Sequence, residues 1–373
     1  MRAPRILPVI GITAGSALVL AGCGASDGDD AGAADDTITV VASTNVYGQI
    51  AEQIGGDAVT VTSIIDSAAQ DPHEYEGSAQ DQLLVSNADV IVENGGGYDS
   101  FIDAMIDSSD SDAHVITAVE FSHDYPGDED EHDHDEENSE EEDEDHDHSD
   151  EEGSEEEHDH AEDEDHAEEE HAEDEDHDHA EDEGSDEDEH DHEGHDHIEG
   201  FNEHVWYDPH TIEHVAEAIA DELSELDPEQ ADVFETNLAE FVEGIEGIEA
   251  ELDEMATEYG GDEIFVTEPV PLYLTAAAGL VNVSPNAFTE AVEEGQDVAP
   301  ATLLESITLL ESGDVRMVIV NAQTGGAETT QIITEAEALG IPVIEFAETL
   351  PEGETYVSWM QANVVAMADA LAE

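Results

Sequence analysis

Two stretches of the chain repeat one alternation of apolar runs. In the first, strand-like runs at Thr37 to Ala42, Ala58 to Ile64, Asp89 to Glu93 and His114 to Val119 are separated by helix-period segments at Val46 to Ile54, Ser78 to Ala88 and Tyr98 to Ile106. In the second, runs at Ile264 to Thr267, Val281 to Ser284, Arg316 to Val320 and Pro342 to Phe346 are interleaved with helical patterns at Pro271 to Ala278, Ala301 to Leu310, Thr329 to Leu339 and Thr355 to Leu371. Short apolar strands alternating with helices predict an α/β class in which each region holds a parallel sheet flanked by helices. Both regions are of ordinary domain size and able to bury a core.

Two helices are predicted between these regions, one opened by Asp208-Pro209 and one by Asp227-Pro228, each with a capping Asp before Pro at the first helical position. The second carries Phe234, Leu238, Phe241, Ile245, Ile248, Leu252 and Met255 at alternating spacings of four and three. That is a single apolar stripe on a helix of about thirty residues, roughly 45 Å long, enough to brace two lobes. A coiled coil would need more heptads and alternating flanking charge. Two α/β lobes joined by a rigid helix predict a ligand site between them, beyond the carboxyl ends of the strands. The helix also predicts a modest lobe adjustment on binding rather than a wide hinge.

Neither period runs through residues 123–199, where 46 of the chain's 104 acids and 15 of its 20 histidines fall. Many of those histidines are spaced as H-x-H: His132 and His134, His146 and His148, His158 and His160, His177 and His179, His190 and His192, and His195 and His197. With hardly an apolar side chain, this segment is predicted to be a disordered insertion in the first lobe. Its imidazoles suit borderline cations such as Zn²⁺, and its carboxylates add charge attraction, so it reads as a low-affinity metal tract. Acidity alone would call for a solvating tail and would not require the histidines.

The N-terminus adds a location. Arg2 and Arg5 precede an apolar stretch too short for a comfortable membrane span, followed by Leu20-Ala21-Gly22-Cys23. This run resembles a bacterial lipoprotein signal with its lipobox, which implies lipidation of Cys23 and a protein held at the outer face of the cytoplasmic membrane. Cys23 is the only cysteine, so an internal disulfide and a Cys-based zinc site are both excluded. The expected organisation is then a signal over residues 1–22, a small acidic tether over 23–36, a first lobe over 37–226, a connecting helix over 227–259 and a second lobe over 260–373.

The charge excludes some partners. With three basic residues (Arg2, Arg5, Arg316), no lysine and a formal charge of -101, the surface repels nucleic acid and anionic lipid headgroups and attracts cations. Such a surface also suits a high-salt habitat, where self-repulsion is screened.

Candidate ligands stand where the architecture would present them. His73 lies in Asp71-Pro72-His73-Glu74-Tyr75-Glu76 after the second strand, and His204 lies in Asn202-Glu203-His204-Val205-Trp206-Tyr207-Asp208-Pro209 before a helix. Glu268 closes the strand at Ile264 to Thr267, and Glu348 follows the last strand. Taken one at a time, a histidine in a turn reads as a surface residue and a glutamate as a solvated one. His210 and His214 share a helix face but have no third ligand in the local sequence, and read as an exposed pair.

Asp-Pro-His-x-Tyr-Glu at 71–76, Asn-x-His-x-Trp-x-Asp-Pro at 202–209, the His-rich insertion upstream of the latter and the long helix together resemble the zinc and manganese solute-binding proteins of ABC transporters, from about Thr37 to the C-terminus. The resemblance implies His73 and His204 as metal ligands from the first lobe. It carries the third ligand, often a histidine in that family, onto Glu268, and a fourth carboxylate, often an aspartate, onto Glu348. It also implies a monomer that delivers its ion to a permease with its ATPase. Two imidazoles and two carboxylates suit tetrahedral Zn²⁺, while Mn²⁺ would use the same groups with bidentate carboxylates or water. Glu268 in place of histidine favours manganese; the His tract favours zinc, which is the expected cargo. No nucleophile elbow, P-loop or H-E-x-x-H frame points to an enzyme. The remaining class is an acidic surface metal buffer or adhesin that relies on the tract alone.

Overall fold

The computed structural model describes residues 37–372 except 71, 74, 110, 127–197 and 199, so Cys23 and the tract histidines lie outside the described residues. The first lobe contains β1 (Ile38–Thr44), α1 (Asn45–Gly55), β2 (Val59–Ile65), α2 (Ala79–Val85), β3 (Val90–Glu93), α3 (Ser100–Ser109) and β4 (His114–Thr117). After a short helical turn at Val205–Tyr207 come α4 (Pro209–Leu226) and α5 (Ala231–Tyr259). The second lobe contains β5 (Glu263–Val266), α6 (Leu272–Ala277), β6 (Val281–Asn282), α7 (Asn286–Glu293), α8 (Pro300–Glu311), β7 (Val315–Asn321), α9 (Ala327–Leu339), β8 (Val343–Phe346) and α10 (Tyr356–Leu371).

Both sheets are parallel throughout, in the orders β2-β1-β3-β4 and β6-β5-β7-β8. The predicted α/β class is thus realised in both halves, each with its first strand inside the sheet. β1, β3 and β7 are buried along nearly their whole length, as strands covered on both faces must be.

Local chemistry explains where the elements differ from expectation. Asp208 caps α4 as predicted, its side chain accepting from the His210 N–H at 3.2 Å ahead of Pro209. Asp227-Pro228 does not open the next helix. Asp227 instead closes α4, its backbone N–H bonding Leu223 O at 2.9 Å, and α5 begins three residues after Pro228. A residue before proline is pushed out of the helical region, so here the pair works as a stop rather than a start. β6 keeps only two residues of the predicted four, because the Ser284 hydroxyl takes the place of the ladder, donating to Val266 O at 2.8 Å and accepting from Val266 N at 2.7 Å. The sequence pattern also missed α7, a short helix that buries only Phe288, Thr289 and Val292.

The stripe on α5 is the mechanical centre. Phe234, Phe241, Ile245, Ile248, Leu252 and Met255 are buried and Leu238 partly so. They belong to one apolar cluster that includes Val40 and Val92 of the first sheet, Ile264 and Ile319 of the second, and Tyr356, Met360 and Val364 of α10. Smaller clusters cover the outer face of each sheet. Phe241 packs beside Tyr356 with ring centroids 5.9 Å apart, which ties α5 to the last helix. Phe241→Ala should therefore cost about 3–5 kcal/mol in denaturant unfolding. A loss below about 1 kcal/mol would contradict a single core running through α5.

Candidate metal centre

Strand ends deliver the candidate residues to one place. β2 leads into the turn that holds His73, β5 into Glu268 and β8 into Glu348, while His204 precedes the helical turn that enters α4. All four side chains are buried. The imidazole rings of His73 and His204 stand 5.9 Å apart, centroid to centroid. His73 Nε2 lies 3.6 Å from Glu348 Oε2, and one ligand atom each from His73, His204 and Glu348 falls within 4.8 Å of the others. Glu268 joins this group through an intermediary: Asn321, the last residue of β7, donates its side-chain amide to Glu268 Oε2 at 2.9 Å and to Glu348 Oε1 at 2.6 Å. The Thr324 hydroxyl donates to the other oxygen of Glu268.

The surrounding residues fix the orientation of each group. His204 Nδ1 lies 2.8 Å from Asn202 Oδ1, which also accepts from the His204 backbone N–H at 3.2 Å. An acceptor at Nδ1 puts the proton there and leaves Nε2 as the ligand atom. Asn202 in turn donates to Pro269 O at 3.2 Å, so the first-lobe histidine is keyed to the loop that carries Glu268. Tyr98 lies among His73, His204 and Trp206, with ring centroids 4.9, 5.8 and 4.6 Å away, and donates its hydroxyl to Glu348 Oε2 at 3.1 Å. Burial, followed by the Glu348 charge, pushes the Tyr98 phenol well up, so it acts as a donor.

The loop that bears Glu348 is clamped from both lobes. Gln323 Oε1 accepts from the backbone N–H groups of Glu348 and Thr349 at 2.7 and 3.0 Å, and Asn45 of α1 pairs with Leu350 through two bonds of 2.9 Å. The Tyr207 hydroxyl donates to Ala347 O at 2.7 Å, and its ring stacks on Phe346 at 5.5 Å. Single residues in the sequence did not point to Tyr98, Asn321, Gln323 or Glu293. Glu293, on the unforeseen α7, brings Oε1 to 3.8 Å from His204 Nε2. The available signals were position at a strand end for Asn321 and at the start of a predicted helix for Tyr98, and none for Glu293.

Behind Tyr98 the chain turns through Gly95, Gly96 and Gly97, all at positive φ. A Cβ on Gly95 would come within 2.4 Å of the Thr117 methyl, so the turn needs glycine there. Buried Asp99 holds this turn by accepting from the Asn94 and Gly95 N–H groups at 2.7 and 2.8 Å; burial raises its carboxyl to about 6 despite these bonds. Glu93 at the end of β3 is raised further, to about 8, first by burial and then by the charges of Asp99 and Asp103. Its Oε1 accepts from Thr117, and its Oε2 has no hydrogen-bond partner among the described residues.

The family model described as "Zinc-uptake complex component A periplasmic" matches residues 40–370. The manganese-binding lipoprotein MntA of Halalkalibacterium halodurans is 21% identical over 367 residues, covering 96% of each chain. The zinc-binding lipoprotein AdcA of Streptococcus pneumoniae is 23% identical over 343 residues, 90% of this chain but 56% of that protein, so this chain spans just over half of AdcA's length. Among solved structures, a crystal structure of ZnuA superposes with a TM-score of 0.57 at 18% identity, covering 90% of this chain and 98% of that one, which establishes a shared fold.

An acid whose folded-state pKa is raised contributes stability that is full below its unfolded value and is lost as pH rises through the folded value. For Glu93 that window runs from 4.5 to about 8. Glu93→Gln, which keeps the neutral shape, should flatten this part of the stability profile and raise the urea midpoint at about pH 8 while leaving it nearly unchanged at about pH 5, the difference amounting to a few kcal/mol at most. An equal midpoint shift at both pH values would remove Glu93 as the cause.

Proposed function

Because the chain belongs to the zinc-uptake complex component A family, the metal-binding solute-binding proteins of ABC transporters rather than enzymes, we propose that it captures one divalent transition ion between its lobes, zinc in preference to manganese, and presents it to a membrane permease and its ATPase. The ligands in this reading are His73, His204, Glu268 and Glu348. One observation carries the choice of zinc. Each carboxylate is engaged at both oxygens by a neighbouring donor, Glu268 by Asn321 and Thr324 and Glu348 by Asn321 and Tyr98. Carboxylates held in this way favour one-oxygen ligation and a low coordination number, which suits tetrahedral Zn²⁺ better than a six-coordinate ion.

Manganese remains the second reading. It is favoured by Glu268 at a position where the resemblance expects histidine, and by the near full-length likeness to a manganese-binding lipoprotein. The tract at 127–197 acts in this proposal as a weak, multidentate reservoir that raises the local ion concentration, and Cys23 carries the lipid that holds the protein at the outer face of the membrane. The continuous core through α5 supports a modest lobe adjustment on loading.

Competitive titration of a chain lacking residues 127–197 with Zn²⁺ and Mn²⁺ tests this. One tight, zinc-preferring site is expected. His73→Ala combined with His204→Ala should weaken it by more than about 100-fold, and Asn321→Ala by about 10–100-fold, since the latter removes an orienting group rather than a ligand. Affinity should fall as pH is lowered, because protons compete for the imidazole nitrogens. Manganese preference would reverse the choice of metal; no tight site once the tract is gone would leave the tract as the function, that of a surface buffer.

A further inference from the structure

His210 and His214 looked like an exposed pair because no third ligand accompanies them in the sequence; the fold brings one from another helix. Ligand atoms of His210 and Glu213 on α4 and of Glu249 on α5 lie within 4.8 Å of one another. We propose that this cluster is a second cation site, separate from the interlobe group, which takes one borderline divalent ion such as Zn²⁺ through His210, Glu213 and Glu249, with water completing the shell.

Three features favour this over a merely solvated face. The donors stand on packed helices: Ile212, Val215 and Ala216 beside the α4 donors, and Ile245, Ile248 and Leu252 beside Glu249, are all buried. Helices anchored in this way hold side chains more precisely than loops do. With every separation at or below 4.8 Å, small side-chain rotations suffice to bring the three donors onto one ion bound at about 2.0–2.2 Å.

The second feature is charge. Glu249 is partly buried and faces Glu213, Asp208 and Asp253, with His210 as the opposing group; burial and then the Glu213 charge raise its carboxyl. The only Lys or Arg in residues 37–372 is Arg316, which is engaged with Asp262 at 3.1 Å and with Leu371 O at 2.8 Å. No basic side chain of the fold is therefore left to neutralise this group of acids, whereas a divalent cation would.

Chelating spacing is the third. His210 and Glu213 stand three residues apart on α4, the spacing at which side chains on one helix face meet, and Glu249 reaches them from α5. With three protein ligands and a solvent position the site is open, so it should hold its ion more weakly and exchange it faster than a closed four-ligand site.

Crystals of the full chain soaked in Zn²⁺ and measured at the zinc absorption edge test the proposal. An anomalous peak is expected within bonding distance of His210, Glu213 and Glu249. It should be lost in His210→Ala and in Glu249→Gln, both outside the interlobe cluster, while the peak between His73, His204 and Glu348 persists. The interlobe peak reports on that site independently, so failure of one reading is distinguishable from failure of the other. No peak between α4 and α5, a peak that survives both substitutions, or one that needs a ligand from a neighbouring molecule would each overturn the second site.

Discussion

Everything at the site depends on one apolar core that runs without a break from the first sheet through α5 to the second. A cleft between two lobes holds facing side chains at fixed separations only if the lobes cannot drift, and His73, His204 and Glu348, from three separate loops, here come within 4.8 Å of one another, with Glu268 joined to them through Asn321. The buried residues of α5, with Tyr356, Met360 and Val364 of α10, bind both sheets into one packed unit. Because packed interiors resist deformation, the histidines of the first lobe and the carboxylates of the second keep their register.

Inside that frame the governing problem is charge. Two buried carboxylates face two imidazoles in a chain with no lysine and with a single arginine in its folded part, itself engaged at the surface. Burying carboxylates without a compensating cation is costly, and the molecule spreads that cost over neutral donors: the Asn321 amide between Glu268 and Glu348, the Thr324 hydroxyl on Glu268 and the Tyr98 hydroxyl on Glu348. These donors hold the carboxylates in place without neutralising them. The same scarcity of basic groups underlies the cluster of His210, Glu213 and Glu249, so the composition of the whole chain bears on both places.

How much of this was legible in advance differs from element to element. The alternation of short apolar runs and helical periods placed all eight strands and the long helix, because burial on both faces of a sheet and along one face of a helix leaves a direct trace in residue order. Asp227-Pro228 misled because Asp-Pro occurs at both helix starts and helix stops, and only the neighbouring packing decides which. α7 left little trace, since two turns with two apolar anchors carry almost no periodic signal. His73, His204, Glu268 and Glu348 could be named together from position and resemblance, but the groups that link and orient them, Asn321 and Tyr98, could not.

The sequence by itself determined the class of fold, the bracing helix and the cation-seeking character of the chain, since these follow from local periodicity and overall composition. Tertiary structure alone decided which polar groups act together. Asn321 joins two carboxylates 80 positions apart in the chain, Tyr98 reaches Glu348 across 250, and Glu249 meets His210 from a different helix. Such partnerships depend on where strand ends and helix faces come to rest in space, and residue order carries no periodic signal of that.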